Sequence, residues 1–376
     1  MKSLKPIVFD PSAETLEQFK AKHHVDVVID EYEKQLEVLF LIRNPRTRFA
    51  PDHTQELESF IEQESAGKPL NLCGSWFYFE WSRVLMHYLP ELEYFELRTA
   101  RNKNLVTKEE QEKFYDAVVG IAGLSIGSHA ALTIAMMGGS KRIKLADPDE
   151  LSISNINRVR YPATKFGQNK AIIAAQLILE INPYAEVELF LDGLNDQNIN
   201  DFFSKTDVLV EAMDNLGMKI KSRQKAKELG IAVIMATDNG DGIIVDIERY
   251  DQDKNLALFN GALDGINLDD FQNFPPSELP KLATKIAGPD YIVGRMLSSL
   301  AEVGKTLYSW PQLGSAATFS GLVLAYLVRK IKIGDEIASG KYDLSLDALL
   351  DPTYNSPEKV SARKEATLNF LKSLGL

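Results

Sequence analysis

The residues with the most chemistry in their spacing are Asp147, Asn155, Asn157, Arg158, Lys170, Asp214 and Asn215. Twenty positions before Asp147, a glycine-containing segment with Gly120, Gly123 and Gly127 runs out of an apolar stretch into a helical one. Such a turn points free backbone N–H groups and the positive end of a helix at a phosphate. Alone it is weak evidence, since a tight turn that only packs a helix on a strand has the same sequence. An acidic residue at the spacing of Asp147 can accept hydrogen bonds from ribose hydroxyls, and with the glycines it indicates an adenine nucleotide without separating NAD from ATP. The separation comes from Arg158, which can clamp phosphate oxygens in a bidentate fork, and Lys170, a point charge. Hydride transfer has no need of both on a polyphosphate. Asp214-Asn215 closes another apolar run, where a carboxylate can hold Mg²⁺ against phosphates or cap the following helix.

These residues require a scaffold that brings strand ends together. From Ala117 to Tyr250 apolar β-type runs alternate with amphipathic ones. Strands are expected at Ala117–Ala122, Arg142–Asp147, Glu186–Leu191, Asp207–Met213 and Ile231–Thr237, and helices at Ser128–Met137, Gln168–Glu180 and Met218–Leu229. The alternation predicts βαβ units, hence an α/β fold with a Rossmann-like, mostly parallel sheet flanked by helices. Asp238-Asn239-Gly240-Asp241 is a hairpin signal between two β-rich runs.

The rest of the chain divides around that core. Residues 1–97 form a smaller N-terminal α+β unit, with a helical stretch at His53–Glu64 and the aromatic run Trp76-Phe77-Tyr78-Phe79-Glu80-Trp81, read as core. Residues 98–350 form the nucleotide-binding domain. It is entered through Arg98-Thr99-Ala100-Arg101-Asn102 and a capping box, Thr107 to Glu110. Residues 252–280, rich in Asn, Asp, Gly and Pro, are expected to make an irregular excursion, a lid or substrate loop. Residues 351–376 are a helical tail.

Composition narrows the function. With 45% hydrophobic and 25% charged residues the 376-residue chain has the balance of a soluble globular protein. A net charge of −11 disfavours a general nucleic-acid partner. The single cysteine, Cys73, excludes a disulfide framework and a Cys-rich zinc site, so no zinc is expected and a reducing cytoplasm fits. The five histidines lack metal-ligand spacing. The N-terminus lacks the apolar run of a secretory signal. Gly314–Val328, the one membrane-like stretch, is too short to span and is read as a buried or dimer-facing helix.

Asp147-x-Asp149, then Ser154-Asn155-x-Asn157-Arg158, then Lys170 and Asp214-Asn215, resembles the adenylation domains of the ThiF/MoeB and ubiquitin-activating-enzyme family, over roughly Arg98 to Glu248. The resemblance implies an adenylyltransferase that activates a carboxylate, the C-terminus of a ubiquitin-like or sulfur-carrier protein or a peptide, with ATP and Mg²⁺. It implies Asp147 on ribose, Arg158 and Lys170 on phosphates, Asn155 on a phosphate or the reacting carboxylate, and Asp214 on Mg²⁺. Gly120, Gly123, Gly127, Asn157 and Asn215 complete the nucleotide site. Arg101 matches the family's second arginine ahead of the first strand, which reaches the partner subunit's ATP site; this implies a homodimer. The chain departs from the family in its glycine loop, where Ser125 stands near a usual glycine. It also lacks paired Cys-x-x-Cys motifs and any cysteine after the adenylation residues. An NAD-dependent oxidoreductase and a non-catalytic nucleotide-binding scaffold are the competing readings.

Overall fold

A computed structural model describes residues 2–49, 52–268, 271, 274–275, 278–300 and 302–373. The apolar runs of the central region become five parallel neighbours, in the order Glu186–Phe190, Arg142–Ala146, Val118–Ala122, Val208–Glu211 and Ala232–Asn239. Val118–Ala122 is buried at all five positions, as a strand covered by helices on both faces must be. It sits where the strand order reverses, which opens a crevice at the carboxyl ends of its neighbours.

Antiparallel strands extend this sheet to eight. Ala232–Asn239 turns back into Gly242–Glu248 with Asn239 opposite Gly242, leaving Gly240 and Asp241 as the turn. Gly240 has φ +67°, a conformation that glycine takes without cost. Gly340–Leu344 adds the last strand. At the other edge Lys2–Leu4 pairs with Glu186–Phe190, so the first residues belong to the large sheet and not to the N-terminal unit expected at 1–97.

The aromatic run forms the strand Ser75–Phe79 of a second, four-stranded sheet. Its two-residue period splits it between two cores. Phe77 and Phe79 join the main core under the large sheet, while Trp76 and Tyr78 pack with Phe9 and Phe19. Polar ties reinforce the contact: Tyr94 and Tyr184 donate to the carbonyls of Ile181 and Leu89 at 3.1 and 2.7 Å.

Helix Gly314–Ile333 lies against helix Ile126–Met136, burying Ala316, Ala317, Ser320, Gly321 and Leu324. At Gly321 the two backbones nearly touch, since a Cβ there would lie 2.2 Å from the Cβ of His129. Leu322 and Tyr326 face outward. No helix among the described residues is long and apolar enough to cross a membrane.

Beyond Glu248 the chain is anchored by buried charge. Arg223, fully buried, donates to Glu211 at 2.7 Å and Glu248 at 2.6 Å, and its guanidinium sits 4.0 Å over the Phe259 ring. Glu248 also accepts from Tyr250 Oη and from the backbone N–H of Phe259. Within the expected excursion, residues 269, 270, 272, 273, 276 and 277 lie outside the described residues; Leu258–Gly261 is a short 3₁₀ turn and a helix begins at Leu279. The tail contributes helix Pro357–Ser373, and residues 374–376 lie outside the described residues.

Candidate active site

The turn after Val118–Ala122 has one glycine with a turn geometry. Gly123 has φ +90°, and a Cβ there would meet the Ala212 carbonyl oxygen at 2.2 Å. The expected glycine loop is otherwise corrected. Gly120 lies inside the strand and makes room for the Phe202 ring; Gly127 lies inside the helix and packs on Ile121. The helix starts at Ile126, two residues earlier than expected. Ser125 stands at its N-cap position, but its hydroxyl does not cap. It accepts instead from Arg158 Nε at 3.3 Å, which sets a guanidinium beside the uncapped first turn.

Asp147 is only 4% exposed. One carboxylate oxygen accepts from Leu124 N at 2.5 Å and the other from Asp149 N at 2.8 Å. Asn169 donates to its carbonyl at 3.0 Å and caps helix Lys170–Ile181. Burial raises the Asp147 pKa above the ordinary carboxylate value, against the nearby Lys170 charge and the two N–H donors. The expected ribose carboxylate therefore holds the turn from behind.

Of Asp147 and Asp149, the one that faces the open space is Asp149. Its side chain is 64% exposed and accepts from Lys170 Nζ at 2.8 Å, while Lys170 itself is buried. Asp149 and Lys170 line a cavity of about 530 Å³ together with Asn155, Arg158, Glu150, Ser152, Ser154, Tyr308, Ser309 and Trp310. Tyr308 is 90% and Trp310 48% exposed. Residues 308–310 thus form part of the cavity wall, and no residue of the expected 252–280 lid lines the cavity among those described.

Arg158 is held at several points. Nη1 donates to the Ser154 carbonyl at 3.1 Å and to Asn157 Oδ1 at 3.0 Å. His129, buried in the helix behind, places Nε2 2.6 Å from the Arg158 carbonyl oxygen. Because its partner is a carbonyl oxygen, Nε2–H is the donor, and burial lowers the His129 pKa. Burial also lowers the Arg158 pKa from its ordinary value, opposed by the negative charges of Asp238 and Asp214. Asn155 closes a capping box with Ser152, whose N–H it accepts at 3.1 Å through Oδ1. Its amide is what remains for a ligand. Asn157 does not line the cavity; it bridges Arg158 to the carbonyl of Gln312 at 2.8 Å.

Asp214 is exposed just beyond Val208–Glu211, and no hydrogen bond or ion pair within the chain engages its side chain among the described residues. The helix cap falls to Asn215, which accepts from Met218 N at 3.0 Å, so the nucleotide contact expected of Asn215 competes with a structural one. Arg101 is exposed on the 3₁₀ turn Ala100–Asn102 and does not line the cavity of its own chain. Among the described residues no group of three or more His, Cys, Asp or Glu side chains could form a protein-only metal cage.

Sequence reasoning passed over Asp149, although it stands in the quoted Asp-x-Asp motif. Tyr308 and Trp310 carried no local signal. Asp238, read only as part of a turn, is buried at the carboxyl end of Ala232–Asn239; it accepts from Ser320 Oγ at 2.9 Å and Gln312 Nε2 at 3.3 Å.

Residues 99–257 match the ThiF family. The uncharacterized protein MT1398 of Mycobacterium tuberculosis (strain CDC 1551 / Oshkosh) is 34% identical over 276 residues, 73% of this chain and 38% of that protein. The probable molybdopterin-synthase adenylyltransferase of Porphyra purpurea is 36% identical over 102 residues, 27% of this chain and 26% of that one. The sulfur carrier protein ThiS adenylyltransferase of Escherichia coli (strain K12) is 25% identical over 139 residues, 36% and 55% respectively. The chain spans about a quarter to just over half the length of these relatives. Among solved structures, PaaA aligns over 81% of this chain and 83% of that one, with 20% identity and a TM-score of 0.46.

Proposed function

We propose that residues 99–257, a ThiF-family domain, bind Mg-ATP and make this chain an adenylyltransferase that activates a carboxylate. The observation that carries the reading is the convergence of Arg158, Lys170 and Asn155 on one cavity beside the uncapped start of helix Ile126–Met136. Two fixed cations, an amide and a helix dipole suit a polyphosphate and exceed what a dinucleotide's pyrophosphate needs.

In this reading a carboxylate oxygen attacks the α-phosphorus of ATP. The bond from that phosphorus to the bridging oxygen of the β-phosphate breaks, and pyrophosphate leaves with the electron pair. The nucleophile is already ionised, so no general base is required. Arg158 and Lys170 offset charge on the phosphates, and the Asn155 amide donates to a phosphate or to the entering carboxylate. The Asp147/Asp149 pair serves the ribose, Asp149 from the cavity wall and Asp147 by holding the turn and the Asp149 N–H. Asp214, exposed and uncommitted, is the residue to hold Mg²⁺, which a single carboxylate plus substrate phosphates commonly binds. Mg²⁺ there would neutralise phosphate charge. Arg101, exposed and outside its own cavity, suits a homodimer in which it completes the partner's site. The acyl substrate is the C-terminal carboxylate of a small ubiquitin-like or sulfur-carrier protein or of a peptide; the E. coli relative is named for the carrier ThiS.

Calorimetric titration of Mg-ATP into the wild type, Arg158→Ala and Asp214→Ala tests the site. Tight binding by the wild type and weakened binding by both variants is expected; equal binding by all three, or binding of NAD in place of ATP, would overturn it. ATP–pyrophosphate exchange dependent on an added carrier protein or peptide then tests the chemistry.

A further inference from the structure

A carboxylate buried to 5% exposure among neutral donors is costly, and Asp238 is one. Its hydrogen bonds lead out of the core and toward the cavity. Oδ1 accepts from Ser320 Oγ in helix Gly314–Ile333, and Oδ2 accepts from Gln312 Nε2. The backbone carbonyl of Gln312 accepts from Asn157 Nδ2 at 2.8 Å, and Asn157 Oδ1 accepts from Arg158 Nη1 at 3.0 Å. Backbone packing follows the same line, because a Cβ on Gly314 would meet the Asn157 carbonyl oxygen at 2.6 Å. Trp310, two residues before Gln312, stands in the cavity wall. The segment carrying that wall is therefore moored at one end to Asp238 and along its side to the residue that steadies Arg158.

We propose that Asp238 is a positioning residue of this site: through Gln312 and Asn157 it holds the Arg158 guanidinium and the Tyr308–Trp310 wall in one hydrogen-bonded arrangement. The proposal rests on the nucleotide reading for its effect on ATP, and not for its effect on the wall. A side-chain acceptor suits the task because it holds Ser320 and Gln312 at once. The mooring bridges 74 residues of chain, from Asp238 to Gln312, so it acts only in the folded protein.

Two readouts test it on the full chain. The first is Trp310 emission and acrylamide quenching, isolated by subtracting the Trp310→Phe form of each protein. Asp238→Ala and Gln312→Ala should shift that emission to the red and raise its quenching. Asp238→Asn should restore the wild-type signal, since its amide can still accept from Ser320 and can pair with a rotated Gln312 side chain. The second is Mg-ATP affinity by calorimetry. Each alanine variant should weaken it about fivefold, and the double variant also about fivefold, because both cuts sever one chain of contacts. Asp238→Asn and the nearby control Asp241→Asn should bind like the wild type.

An unchanged Trp310 signal in both alanine variants would overturn the proposal whatever ATP does. So would a multiplicative loss in the double variant, or an Asn variant as impaired as the Ala one. A wild type that does not bind ATP would overturn the nucleotide reading alone, leaving the wall to be judged by fluorescence. Gln312→Ala lies on a half-buried loop and gives the answer even if Asp238→Ala does not fold.

Discussion

Replacing Asp238 by Asn should make the fold more stable at neutral pH, by an amount that shrinks on acidification. Burial pushes the Asp238 carboxyl from its ordinary 3.8 up to about 6, with the Ser320 and Gln312 hydrogen bonds and the Arg158 charge only partly opposing. Between those two values the folded chain binds more protons at this position than the unfolded chain, so stability falls as pH rises. Below 3.8 both states carry the neutral acid and the cost is absent. Above 6 both are ionised and the cost is complete. A shift of roughly two pKa units corresponds to about 3 kcal/mol, of which about half appears between pH 5 and 8. Asn is neutral throughout and lacks this dependence. Urea denaturation of both proteins at pH 5, 6, 7 and 8, followed by circular dichroism, measures the difference directly; matching m-values would show that the unfolded states are alike. The advantage of Asp238→Asn should widen by about 1.5 kcal/mol from pH 5 to pH 8. Parallel stability curves, or a gap that narrows toward pH 8, would refute the argument that Asp238 is a buried carboxylate held at a cost.

Arg158→Ala removes a charged donor from the cavity and should weaken Mg-ATP binding about tenfold to a hundredfold by calorimetry, with little change in thermal midpoint. Gly321→Ala places a Cβ 2.2 Å from that of His129, against atoms that cannot rotate away; the forced separation of two helices should cost about 1–3 kcal/mol in denaturant unfolding. If Arg101 completes the partner's site, Arg101→Ala and Arg158→Ala proteins, each inactive in ATP–pyrophosphate exchange, should regain about a quarter of wild-type activity after mixing and subunit exchange. Additive residual activities would instead put Arg101 and Arg158 in one chain's site.

Much of the scaffold was legible because its signals are local. Apolar runs such as Val118–Ala122 and Val208–Glu211, separated by amphipathic stretches, specify parallel strands within one or two residues of where they form. The capping box at Thr107 and the hairpin at Gly240 depend on neighbours in sequence and were equally readable. Lys2–Leu4 was not, because three residues at a sheet edge carry no periodicity and acquire their partner from residues 187–189.

The site was legible in its residue types and less so in their division of labour. Arg158, Lys170 and Asn155 line one cavity. Asp147 and Asp149 looked alike in sequence; only burial makes one the support of the turn and the other the exposed carboxylate. Asn215 and Asn155 each spend an oxygen on a helix start, a use that competes with ligand binding and depends on where those helices begin. Tyr308 and Trp310 belong to the site only because helix Gly314–Ile333 docks on helix Ile126–Met136 and brings the preceding segment over Asn157.

By itself the sequence determined the alternation of strands and helices, the acidic and basic groups suited to a nucleotide, and that no cysteine follows them within these 376 residues. Each follows from residue type and short-range spacing. The tertiary structure decided which carboxylate faces the cavity, what closes it, and that Asp238 is tied to Arg158, because those outcomes rest on burial and on hydrogen bonds between segments far apart in the chain.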